Sequence, residues 1–149
     1  MDLFAKLTAT YKNYVTRTET DEGVDFFVIV NPFWNENIRI TYDNGILLLF
    51  SHQHAHCDDN FDLLTDYIDA FLHRKEVAIE FFSGDKPLFG GSKCLDDIDM
   101  SSGKSLYESF IGDRPQLFLE FYKRIKGVNC RCSIRGWDNA LNKDINFVL

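Results

Sequence analysis

The chain has 149 residues, the length of one domain, and its 45% apolar and 15% aromatic content excludes a disordered chain. A net charge of −7 repels phosphate backbones, which excludes nucleic acid as an expected ligand. The longest apolar runs, FFVIV at 26–30 and ILLLF at 46–50, fall far short of the roughly 20 residues of a membrane helix.

The opening stretch MDLFAKLTATYKNYV lacks a basic leader and a small-residue cleavage site, so it does not read as a signal peptide. Its Leu3, Leu7, Tyr11 and Tyr14 or Val15 recur at helical spacing and predict a helix over 3–15. VDFFVIV at 24–30 is β-branched and aromatic on both parities, which predicts a strand with neighbours on both sides, broken by Asn31-Pro32. In NIRITYDNGILLLF, Ile38, Ile40 and Tyr42 alternate with Arg39 and Thr41, and Asp43-Asn44-Gly45 supplies left-handed turn residues. This predicts a hairpin over 37–50.

A helix over 60–74 follows, with Asp58, Asp59 or Asn60 as its cap and Phe61, Leu64, Tyr67 or Ile68, and Phe71 as its inner stripe. VAIEFF at 77–82 and PLFG at 87–90 predict a second hairpin. Ser101 or Ser102 starts a short helix ending near Gly112, and Pro115 and Gly127 bracket another over 115–126. Strands over 128–135 and 144–149 complete a single α+β domain, a mainly antiparallel sheet built from hairpins and packed by about four helices.

The stretch LLLFSHQHAHCDDN holds three of the four histidines at alternate positions. If the strand from Ile46 continues, His52, His54 and His56 face one way and Gln53, Ala55 and Cys57 the other. Imidazoles so spaced can share a zinc ion, with a further ligand from Cys57, Asp58, Asp59, Cys130 or Cys132. The run superficially resembles the HxHxDH pattern of metallo-β-lactamase-like hydrolases, but the aspartate and the final histidine are missing. The simpler reading is a strand whose end turns polar as it approaches a helix cap.

Cys130 and Cys132 share their parity with Val128 and Ile134, so they read as buried, reduced thiols. Four cysteines without a secretion signal fit the cytoplasm. Gly103-Lys104-Ser105 lacks the upstream glycine of a phosphate loop, since position 98 is Ile98. Asp97, Asp99, Ser101 and Glu108 take calcium-loop positions, but Ser102 stands where the sharp-turn glycine belongs. No Ser/His/Asp motif occurs, and Glu80 and Asp85 are carboxylates that nothing in the sequence places in a cleft.

Asp62, Asp66 and Asp69, spaced i, i+4, i+7 behind Asp58 and Asp59, make an acidic stripe on one helix side. Trp34 in NPFWNEN and Trp137 in RGWDN sit in loop-like contexts suited to interface anchors. These features point to a noncatalytic binding protein that makes stoichiometric contact with a basic protein partner. Size and acidity resemble the general profile of inhibitors and toxin-neutralising immunity proteins, a likeness of class only. The competing expectation is a zinc protein or metal-dependent hydrolase built on His52, His54 and His56, with otherwise no cofactor; a homo-oligomer is a third.

Overall fold

The computed structural model describes residues 2–149. Its first half is an antiparallel meander. Helix α1 (Leu3–Thr10) is capped by the Asp2 carboxylate, which accepts from Phe4 N. Strands β1 (Thr16–Asp21), β2 (Val24–Ile29), β3 (Ile38–Tyr42), β4 (Ile46–Phe50) and β5 (Gln53–Asp58) then pair in chain order. Helix α2 (Phe61–Leu72) packs Leu64, Ile68 and Phe71 on the face built by Ile29, Ile38, Ile40, Leu48 and Phe50.

The second half forms a separate antiparallel sheet. It contains β6 (Glu76–Ser83), β7 (Lys86–Cys94), β8 (Cys130–Arg135) and β9 (Lys143–Phe147), in the order β7-β6-β8-β9. Helices α3 (Gly103–Ile111) and α4 (Pro115–Ile125) cover it, burying Leu106, Tyr107, Phe110 and Ile125 against Ile79, Phe81, Cys132 and Ile134. The chain is therefore α+β and antiparallel as its pattern predicts, but with two sheets and two cores instead of one. Strand β6 serves both: Val77, Ile79 and Phe81 join the second core, while Ala78 points into the first. Each sheet is held mainly by its apolar layer. Fully burying a side chain such as Phe50 or Phe81 contributes about 1.5–3 kcal/mol, whereas surface ion pairs such as Arg17–Glu19 contribute under about 1 kcal/mol.

Three local expectations are corrected. Helix α1 stops at Thr10, and Val15 is exposed instead of stapling a longer helix. Strand β1, TRTETD, escapes the pattern because this edge strand buries no side chain fully on either face. It is closed onto β2 by Glu22 and Gly23, both in the left-handed region. The strand through the histidines does not continue: β4 ends at Phe50, Ser51 turns with φ of 55°, and β5 runs back antiparallel.

Candidate functional site

That reversal rearranges the histidines. His52 lies in the turn, edge-on to Phe82 of β6 with ring centroids 6.0 Å apart. His54 and His56 stay on one face of β5, exposed, with ring centroids 5.2 Å apart. Cys57 faces the first core, and Cys130 and Cys132 face the second. Burial pushes all three thiols up, which keeps them protonated and unreactive. Among the described residues no three His, Cys, Asp or Glu side chains converge as a metal would require. The three-histidine set is thus reduced to a pair.

Other partial motifs have structural roles. Gly103 opens α3, capped by Ser102, and a Cβ there would overlap the Phe147 side chain. Its lack of a side chain serves packing against β9. Asp99 accepts from Ser101 N at 2.9 Å, while Glu108 pairs with Lys104 at 3.8 Å on α3. Asp85 sits exposed in the β6–β7 turn, and Glu80 lies mid-strand. Burial raises the Glu80 carboxyl, opposed by the charge of His52 and by the bond from Gln53. Gln53 Nε2 bridges the sheets, donating to Ile79 O at 3.2 Å and to the Glu80 carboxylate.

Neither tryptophan is a free surface anchor. Trp137 is 2% exposed and packs on Phe50, with ring centroids 6.2 Å apart. Trp34 is half-buried, and its indole N–H donates to the carbonyls of Gly136 and Trp137 at 3.0 and 3.1 Å. Asn31 Nδ2 also donates to the Trp137 carbonyl, at 2.8 Å. The two loops clasp each other at the junction of the sheets, a role that takes Trp137 off any partner-binding surface.

The acidic residues behave differently from one another. Asp69 accepts from the Tyr11 hydroxyl at 3.1 Å and so ties α2 to α1. Asp59 accepts from Tyr42 at 2.7 Å. Asp58, with φ of 50°, Asp62 and Asp66 are exposed. Among the described residues, none of these five carboxylates forms an ion pair. Tyr42, 56% exposed, reaches Asp59 from β3, and Leu63, 37% exposed, lies on α2 with Asp62 and Asp66.

Sequence reasoning missed that the charge is lopsided. Residues 1–75 carry 12 acidic and 6 basic side chains, and residues 76–149 carry 11 and 10. Counting by halves would have revealed this; that the halves are separate sheets would not have been visible. Among the described residues no helix is long and apolar enough to cross a membrane. The chain matches no protein-family model, no curated protein and no solved structure at a significant level.

Proposed function

We propose that the protein acts in the cytoplasm without catalysis, by stoichiometric contact between the acidic face of α2, with the end of β5 before it, and a basic protein partner, in the manner of an inhibitor or an immunity protein. The carrying observation is the run of exposed, unpaired carboxylates Asp58, Asp62 and Asp66 beside Tyr42 and Leu63. Like charges at this spacing repel, and a partner's cations would relieve that repulsion while speeding the encounter. Aromatic and aliphatic groups next to the charges supply apolar contact area. Asp69 is the least available of these carboxylates in this reading, because one of its oxygens accepts from Tyr11.

The test compares wild type with an Asp62→Lys/Asp66→Lys variant as immobilised bait, followed by identification and stoichiometry of what is retained. The reading expects one strongly basic protein held in equimolar amount by wild type and lost by the variant, with both baits equally folded by circular dichroism. Retention that is unchanged by the double reversal, or a retained partner that is acidic, removes the proposal.

A further inference from the structure

Strand β1 closes the first sheet and pairs on one side only, with β2. Val30 N donates to Val15 O, which makes these two a bonded pair. Antiparallel alternation then makes Arg17–Val28, Glu19–Phe26 and Asp21–Val24 the next bonded pairs. The main-chain N–H and C=O groups of Thr16, Thr18 and Thr20 therefore point away from β2. Among the described residues no other segment gives them a backbone partner. Thr18 and Thr20 are exposed on one face, and Arg17 and Asp21 on the other, so the strand is open on both faces.

The outer edges of β5, β7 and β9 carry features that block strand addition. The ladder of β5 with β4 shifts register, and Gln53 of β5 donates to Ile79 O of the second sheet. Strand β7 has a register shift of its own, with Lys86, Pro87 and Lys93. Strand β9 carries Lys143, and its Phe147 fills the space left by Gly103 of α3. Strand β1 has none of these: its ladder runs unbroken from Thr16 to Asp21, without lysine, proline or bulge. Its charges are of both signs, so they do not exclude a second copy.

We infer that β1 pairs antiparallel with β1 of a second copy, centred on Thr18, and joins two five-stranded sheets into one. A two-fold axis through Thr18, perpendicular to the sheet, sets the Thr18 residues of the two copies opposite each other and Thr16 of each opposite Thr20 of the other. Each pair exchanges both of its free main-chain bonds. The axis keeps each face on its own side, so Arg17 of one copy stands opposite Glu19 of the other. Arg17 already meets Glu19 of its own chain at 3.3 Å, and the four charges then alternate in sign around the axis. Centring on Glu19 would set carboxylate against carboxylate, and centring on Arg17 guanidinium against guanidinium. One strand edge per copy is a small interface, which corresponds to a weak dimer. This pairing is independent of the acidic face of α2.

Sedimentation equilibrium of the full chain from about 10 to 500 µM measures the association, in the range where a small interface acts. Wild type is expected to show a monomer–dimer equilibrium, unchanged in Asp62→Lys/Asp66→Lys. Thr18→Pro removes an N–H that bonds nothing within the chain, so the monomer is expected to fold and the dimer to be lost. Arg17→Glu and Glu19→Arg singly are expected to weaken association about tenfold. The double exchange Arg17→Glu/Glu19→Arg restores it, and an equimolar mixture of the two single variants forms a mixed dimer. In hydrogen exchange, the amides of Thr16, Thr18 and Thr20 slow as concentration rises, while those of Arg17 and Glu19, bonded to β2, are slow throughout.

A wild type that stays monomeric over that range overturns the pairing, as does a dimer that Thr18→Pro leaves at full strength. Failure of the double exchange to restore association overturns the Thr18-centred register. Should Thr18→Pro prove unfolded by circular dichroism, the charge exchange and the amide rates decide. Protection of the three threonine amides only when a different protein is bound would give the edge to that partner and would also overturn the pairing.

Discussion

The indole N–H of Trp34 donates to the main-chain carbonyl of Trp137, more than a hundred residues away, and this bond joins the two sheets where their loops meet. Asn31 completes the clasp, donating from Nδ2 to Glu36 O and Trp137 O and accepting from Phe33 N, each at 2.8 Å. Asn31→Ala removes three bonds, taking the partner from Glu36 O and Phe33 N and leaving Trp137 O with the Trp34 indole alone. The expected loss is about 1.5–3 kcal/mol, read as a lower urea midpoint with an unchanged slope. Trp34→Phe keeps an aromatic ring but removes the indole N–H, for about 1 kcal/mol, with the packing lost by the smaller ring added to it. A change of slope would mean that the sheets had begun to unfold separately.

Two buried tyrosines predict an alkaline limit to stability. Burial, with the nearby Asp69 carboxylate adding to it, pushes the Tyr11 hydroxyl well above its ordinary value of 10.0. Burial pushes Tyr107 up to about 12, and its hydroxyl donates to Phe118 O at 2.6 Å. A raised native value means that the folded chain holds the proton more tightly than the unfolded one. The stabilisation is therefore complete below the ordinary value and is lost as pH climbs above it. Melting temperature should fall steeply above about pH 10, and less steeply in Tyr11→Phe, which has no proton there to lose. Parallel melting curves for wild type and Tyr11→Phe across that range would remove the coupling.

Glu80 sets an opposite test in acid. Its carboxyl is raised above the ordinary 4.5, first by burial, so folding favours the protonated form. That contribution is greatest below the ordinary value and is lost as pH rises through the native one. Glu80→Gln mimics the protonated form, and its amide oxygen can still accept from Gln53. Relative to wild type, the variant should gain stability at neutral pH and lose that advantage in acid. Urea midpoints at pH 4 and pH 7 measure it, and a variant destabilised most at neutral pH would show that the charged carboxylate supports the seam between the sheets.

The histidine pair predicts weak metal chemistry. Two imidazoles on one strand offer an ion only half of a tetrahedral site. Zinc bound by His54 and His56 should come away with a chelator, and the melting temperature of the metal-free protein should be unchanged. A fall in melting temperature on chelation, reversed by zinc and absent in His54→Ala/His56→Ala, would revive the zinc reading.

Where the local pattern and the tertiary fold demand the same thing, the chain is readable residue by residue. The β3–β4 hairpin follows from the alternation of Ile38 and Ile40 and from Asn44, which takes the left-handed conformation that its turn requires. Helix α2 follows from its apolar stripe and from Asn60, whose side chain caps Leu63 N. Pro115 and Gly127 mark the ends of α4 because one has no N–H to lose and the other tolerates positive φ.

Tertiary structure alone decided the rest. Ser51 and His52 make a tight turn without glycine, proline or asparagine, so the reversal that divides the histidines leaves no local mark. Edge strand β1 has little to bury and so no hydrophobic period to read. Trp34 and Trp137 lie in loops, and whether a loop aromatic meets solvent depends on which distant loop packs over it. The acidic stripe was visible as spacing along a helix. That Asp69 is bound to Tyr11 while Asp62 and Asp66 remain open depends on where α1 comes to rest, a long-range contact that no short stretch of sequence encodes.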